Sequence, residues 1–465
     1  GGGIDSPRPA SQRAAAFILT AAMLTTLAAP AFAETWYIEN GDITVKASGT
    51  EGKNTVSQGN KKDVEDTNTI ITNQNQDKAS SHTVTIDAND KNDKVEVTLK
   101  DVNIDTSSRN KAAVSVTGSG NTTIKLDGDN ALKSDTYRSG IYGSGSLTIS
   151  GGENDSLTAQ GGSGANGISS SGSLTISGGT VTANGGNGGY GIYSSGVTIS
   201  GGTITANGGS GKDGSGDGIF SFDPVAISGG TVTAKGGSGE DGEDGGDGIR
   251  SFDPVAISGG TVTAKGGSGE DGSGGRGIIS TKSVTISGGT VNANGGSGKN
   301  GNGGNGIIGS GRVAISGGTV NAAGGDGGNG KDGGDGIRSG GIDLSGSLEL
   351  TAKAGSPNGK ALSQNGKELD LNAIKDKLGP GAKVTVTDAN GETKQVSIPR
   401  PVEPEKPVIP EESSSSSDGG SSAPSAPASS LPGLTVTDKS GAVISYTSTQ
   451  SGNTLTVCVG RFTAS

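Results

Sequence analysis

Carboxylates recur in the glycine-rich segments that run up to each Gly-Ile pair. They are Asp213 and Asp217, then Glu240, Asp241, Asp244 and Asp247, then Glu270 and Asp271, then Asp326, Asp332 and Asp335. Carboxylates gathered among backbone carbonyls suit calcium, which takes about six to eight oxygens. The candidate ligands are Asp213, Asp217, Asp241, Asp244, Asp247, Asp271, Asp332 and Asp335. The stretches GGSGKD (208–213) and GGSGED (236–241 and 266–271) match the start of the calcium-binding GGxGxD repeat. Ser215, Glu243 and Ser273 stand where that repeat needs an apolar residue, so the match is partial. The competing reading is of solvated acid loops that keep a flat repeat protein soluble.

A second set follows the Gly-Ile pairs. If each isoleucine faces in, the next residue faces out, giving a column of Tyr142, Ser169, Tyr193, Phe220, Arg250, Ile279, Ile308 and Arg338, with Phe222 and Phe252 nearby. Aromatic faces stack on the C–H edges of sugar rings, and a guanidinium pairs bidentately with a uronate carboxylate. Tyr142, Tyr193, Phe220, Arg250 and Arg338 are therefore the candidate carbohydrate-binding residues; the alternative is that they only cover glycine-rich corners. A third array, the threonines of TVTA at 180 and 182, 203 and 205, 231 and 233, 261 and 263, continued by Thr290 with Asn292 and Thr319 with Asn321, would form two rows on a flat face. Such a lattice could match a crystalline polymer or ice, but threonine is also an ordinary exposed strand residue.

Catalysis finds little support. His82 lies outside the repeats and Cys458 near the end, so no nucleophile and base can be assembled around either. A β-helix lyase or glycosidase would need calcium with an Arg or Lys base, or paired carboxylates. Arg250 and Arg338 beside the acid loops are all that speaks for one.

These columns exist only if the chain stacks on itself, and the repeats say that it does. Ile149, Ile176, Ile199, Ile227, Ile257, Ile286 and Ile315, with Leu344 last, mark one beat; the Gly-Ile residues Ile141, Ile168, Ile192, Ile219, Ile249, Ile278, Ile307 and Ile337 mark another. The step settles at about 29 residues, a solenoid period. Apolar residues alternate with small polar ones, and the Gly-Gly pairs after Ile-Ser and again after Asn184, Asn207 or Lys235 would supply positive-φ corners. Leu126 and Leu99 would continue the Ile149 beat backwards. The expected fold is all-β: a right-handed parallel β-helix with three strands per coil, capping regions and a small C-terminal β module. With 90 glycines in 465 residues and 3% aromatics, no single large globular core can form, and a net charge of −11 disfavours nucleic acid.

Around the repeats, Arg8 and Arg13 precede the apolar run 14–29 and the A-x-A site at 31–33, so residues 1–33 read as a signal peptide and the protein as secreted, extracellular or on the cell surface. Residues 34–94 form an N-terminal β capping region, with strand candidates at 36–45, 69–72 and 83–86. Trp36, the only tryptophan, either packs on the first coil or offers a sugar platform. Residues 95–353 are the coils. Residues 354–400 form a C-terminal cap with a short helix at 371–378 and a hairpin turning at Asn390-Gly391. Residues 401–432 are a Pro/Ser-rich linker, and 433–465 a small β module expected to be incomplete.

The early coils carry a resemblance. VTLKDVNIDTSSRNKAAVSVTGSGNTTIKLDGDNAL, leading into GIYGSGSLTISGG, resembles the carbohydrate-binding-domain family of bacterial cell-surface β-helices. Members of that family bind cellulose-like and acidic plant polysaccharides and carry calcium. The resemblance, over about residues 95–353, implies a non-catalytic surface protein with a polysaccharide partner and calcium as a stabiliser. A structural adhesin without glycan selectivity, a lyase and an ice binder are the alternatives.

Overall fold

The computed structural model describes residues 34–408 together with 435–437, 443–444, 446–451 and 454–459. The expected signal peptide, most of the linker and parts of the expected C-terminal β module lie outside the described residues. The chain divides into two compact units, one ending at Pro401 and one beginning at Val402. In the second, Val436–Thr437 pairs antiparallel with Val443–Ile444, and Tyr446–Ser451 with Thr454–Val459.

The first unit is a β-solenoid of about 11 turns of about 28 residues. One turn shows the plan: Ile219–Ser221, then Val225–Ile227, then Thr231–Lys235. Each strand pairs in parallel with its equivalent in the next turn, giving three ladders. The Gly-Ile ladder holds its isoleucines in strict register from Ile141 to Ile337. It also extends where no Gly-Ile pair announces it, through Ile43, Val84 and Val114 before and Leu362 after. In the second ladder Val225 stacks on Val255 and Ile227 on Ile257; in the third, or threonine, ladder Val232 stacks on Val262 and Ala234 on Ala264. All of these side chains are fully buried. Burying an aliphatic side chain is worth about 1.5–3 kcal/mol, and each turn gains it only against its neighbours, so the turns stand or fall together.

Two expectations about register and corners need correction. Ile149 stacks on Ile124 and Val97, whereas Leu126 pairs with Leu99 two residues further on. A slip of two keeps every side chain on the same face, which is why alternation alone could not detect it. The longer strands Lys94–Lys100 and Asn121–Asp127 carry an extra inward residue, and the Leu126 side chain lies over the later Gly151 and Gly179. The second glycine of Ile-Ser-Gly-Gly does take positive φ from Gly179 to Gly318, as at Gly230 (+80°) and Gly260 (+78°), but not at Gly152. The glycines after Asn184, Asn207 and Lys235 do not. There the requirement is closeness: a Cβ on Gly237 would collide with the Gly209 carbonyl of the preceding turn.

The ends are closed by antiparallel strands. Ile43–Ala47, Asn54–Gln58 and Lys61–Asp66 form a meander at one end, and Lys383–Thr387 pairs with Thr393–Ser397 at the other, turning through Gly391 at φ +84°. Trp36 is buried, donates from Nε1 to Asp66 Oδ2 at 2.8 Å, and aligns with Ile71; packing, not a sugar platform, is its role. The helix expected at 371–378 is instead two 3₁₀ turns, Leu371–Ala373 and Lys375–Lys377. Eight residues ahead of Gly379-Pro380 are too few to sustain an α-helix, and the tighter turn still buries Leu371, Ile374 and Leu378.

Candidate functional site

The outward positions of the Gly-Ile ladder form one column of Cα partners: Tyr142, Ser169, Tyr193, Phe220, Arg250, Ile279, Ile308 and Arg338. Parallel neighbours lie about 4.8 Å apart, so Tyr142 stands about 10 Å from Tyr193 and Arg338 about 14 Å from Arg250. The structure therefore joins Tyr193, Phe220 and Arg250 and leaves Tyr142 and Arg338 apart, with Ser169 on one side and Ile279 and Ile308 on the other.

Around the joined residues the side chains form an aromatic patch. Tyr190, Tyr193 and Phe220 stack with ring centroids 5.2–5.4 Å apart. Phe222 meets Tyr193 and Phe220 edge-on, and Phe252 meets Phe220 edge-on at 5.3 Å. The Arg250 guanidinium lies 5.2 Å from the Phe220 ring centre and 5.5 Å from that of Phe252. Phe220 is only 4% exposed, because its neighbours cover it; it supports the patch from within instead of meeting a ligand. Phe222, 42% exposed, and Phe252 offer the open aromatic surface beside Tyr193. Tyr190 was not foreseen. Its signal was that it occupies the place held in other turns by Asn166, Asp217, Asp247, Asn305 and Asp335, directly before Gly-Ile.

Those polar residues show what the acidic segments do. Each reaches to the next turn: Asn166 Oδ1 accepts from the Tyr190 amide (2.9 Å), Asp217 Oδ1 from Asp247 (2.7 Å), Asp247 Oδ1 from Arg276 (2.8 Å), Asn305 Oδ1 from Asp335 (2.6 Å) and Asp335 Oδ1 from Lys360 (2.8 Å). Asp217 and Asp247 are thus buried posts between turns. Asp247 also pairs with Arg276, whose Nη2 donates to Oδ2 at 3.1 Å; Asp217 Oδ2 has no hydrogen-bond partner, and its nearest cation, Arg250, is 4.0 Å away. Burial, and then the charge of Asp247, push the Asp217 carboxyl up to about 7; burial also raises Asp247.

Further out, Asp244 Oδ1 accepts from the Ser273 amide (2.7 Å) and Asp332 Oδ1 from Asn358 Nδ2 (2.9 Å). At the exposed tips Asp241 faces Lys212 at 3.6 Å and Asp271 accepts from Asn300 Nδ2 at 2.6 Å, while Asp213 lies exposed one turn before Asp241. Among the described residues no three Asp, Glu, His or Cys side chains converge on a metal-sized point. The carboxylates at the root, Asp217, Asp247 and Asp335, accept from backbone amides of the next turn, and those at the tips stand on successive turns. Nor are the loops loose. Gly246 donates to Gly237 within its turn, Gly267 of the next turn donates to Gly246, and the pattern repeats through Gly275, Gly296, Gly304 and Gly325. This glycine lattice is a wall beside the Gly-Ile face.

A family model described as "Carbohydrate-binding domain-containing protein" matches residues 76–336, more than half of the chain. The chain belongs to that family. No curated protein and no solved structure matches it. The family match covers the coils that build both the column and the wall.

Proposed function

We propose that this is a secreted or cell-surface protein that binds polysaccharide along its Gly-Ile face without cleaving it. The observation that carries the reading is the patch of Tyr193, Phe222 and Phe252 around Arg250, set in a ladder whose period repeats along the solenoid. An extended polymer laid along the column would meet apolar ring faces about every second turn, at Tyr142 and at Tyr193, close to the repeat of an extended β-linked disaccharide. Arg250 adds a guanidinium for a uronate, so cellulose-like and acidic plant glycans are the ligands to try first. A non-catalytic role is supported by Asp217 and Asp247, both buried, each with Oδ1 taken up by a backbone amide of the next turn.

The test is retention of the protein on insoluble cellulose and on immobilised polygalacturonate, with calcium and with chelator. Retention on at least one polymer is expected. Loss with chelator would assign the acid loops a metal role, and retention with chelator would leave them a structural one. No retention on either polymer would overturn the reading in favour of a structural adhesin, and release of unsaturated sugars would reveal a lyase.

A further inference from the structure

Before the aromatic patch, the same face is cut by a groove of about 550 Å³. Its floor is the outward column itself, Thr85, Ser115, Tyr142 and Ser169 on successive turns. Its walls are the Asn110–Lys111 and Tyr137–Arg138 corners and the backbone around Gly164. Although the chain carries a net charge of −11, the groove is lined by two cations, Lys111 and Arg138, and by no Asp or Glu.

The corner that forms the wall is built with care. Tyr137 is 76% exposed yet sits at φ +61°, a conformation uncommon and costly for a bulky residue. It is held there by its amide, which donates to the Ser163 carbonyl (2.8 Å), and its ring lies over Gly164, where a Cβ would come within 2.7 Å of the Tyr137 Cε1. Arg138 Nε donates to both the backbone and side-chain oxygens of Asn110 at 3.2 Å, which fixes the guanidinium at the rim. Its two terminal nitrogens and Lys111 Nζ make no bond among the described residues. Two exposed tyrosines, 137 and 142, thus flank a space with fixed and unpaired cations at its edge.

We infer that this groove is a binding site in its own right for a sugar ring bearing an anionic group, distinct from the aromatic patch. The inference rests on the polysaccharide-binding reading of the same face and adds where charge is read. The ring lies against Tyr142 and Tyr137, its hydroxyls meet Thr85, Ser115 and Ser169, and its carboxylate or sulfate meets Arg138 and Lys111. Ser169 is the last turn of its floor, and Tyr193 on the next turn begins the aromatic patch.

The experiment compares the full chain with Lys111→Gln, Lys111→Gln/Arg138→Gln, Tyr137→Gly and Phe222→Ala/Phe252→Ala. The probes are polygalacturonate, its fully methyl-esterified form, a sulfated galactan and cellulose. Lys111→Gln removes no contact within the fold and Tyr137→Gly suits the positive φ, so both remain informative if the double variant folds poorly. The double variant is expected to bind polygalacturonate about ten-fold more weakly, Lys111→Gln about three-fold, with the methyl ester and cellulose unchanged. The sulfated arm tells whether the site reads any anion or carboxylate alone. The patch variant should weaken all polymers and keep the preference for acid over ester. If the Lys111 and Arg138 variants bind polygalacturonate like the parent while the parent still binds polysaccharide, the groove is not the site. If the parent prefers the ester or cellulose, the inference also fails; if it binds no polymer, the broader reading falls first.

Discussion

Two outward columns of this solenoid share the same rungs and differ in what they do with them. In the threonine ladder the middle outward position reads Thr182, Thr205, Thr233 and Thr263, then Asn292 and Asn321, over an inward row that alternates Val or Ile with Ala. In the Gly-Ile ladder the inward row is equally constant, but the outward one changes at nearly every step, from Tyr to Ser to Tyr to Phe to Arg. Stacking demands sameness inside, because each turn can bury its apolar row only against a copy of itself. Outside it demands nothing. A uniform outward row is therefore what strand preference alone produces, whereas a varied one is where individual side chains are used. The aromatics agree: four of the six tyrosines and three of the six phenylalanines lie on or beside the Gly-Ile face.

The largest effect should come from the wall beside that face. A Cβ at Gly246 would strike the Gly216 carbonyl, so Gly246→Val should cost about 3 kcal/mol in a urea or thermal melt. A cost below about 1 kcal/mol would mean that the glycine lattice is not a packed wall. Next, Phe220→Ala removes a ring buried in the varied column and should cost about 3 kcal/mol, whereas Thr233→Ala in the uniform column should stay within about 0.5 kcal/mol. Similar costs at the two positions would erase the contrast.

The smallest effects are in pH. Asp217 binds its proton more tightly folded than unfolded, so its contribution is fully present below about 4 and is lost as pH rises through about 7. Asp42 runs the other way. The Arg109 guanidinium, donating at 2.7 and 3.1 Å, holds its carboxyl at about 2, so its contribution is present above about 4 and lost as pH falls through about 2. Melting temperature against pH should therefore decline between about 4 and 7 in the parent and less so in Asp217→Asn, while Asp42→Asn should alter only the acid limb.

The solenoid was legible because its two isoleucine beats and its Ser-Gly-Gly corners obey a period that only stacking requires. The column Tyr142 to Arg338 followed from alternation alone. What the sequence hid depended on distances across turns. Asp217 and Asp247 look like loop carboxylates, and only the approach of the next turn's amides shows them to be buried posts. The serines two places after the Gly-Ile isoleucine, such as Ser194 and Ser221, are polar yet buried, and only the structure shows their hydroxyls donating to corner carbonyls such as Gly196 (2.8 Å) and Asp223 (2.7 Å). Tyr137 and Arg138 precede the Gly-Ile pairs in a segment with no repeating phrase, so no period pointed to them.

The measurement that bears most directly on this account is a binding isotherm, on one retained polymer, for two matched variants of the full chain. Tyr193→Ala/Phe222→Ala removes two aromatic rings on and beside the varied column, and Thr205→Ala/Thr233→Ala two side chains of the uniform one, in neighbouring turns. The account predicts about ten-fold weaker binding for the first and parental binding for the second. Equal losses, or a loss confined to the threonine variant, would contradict it.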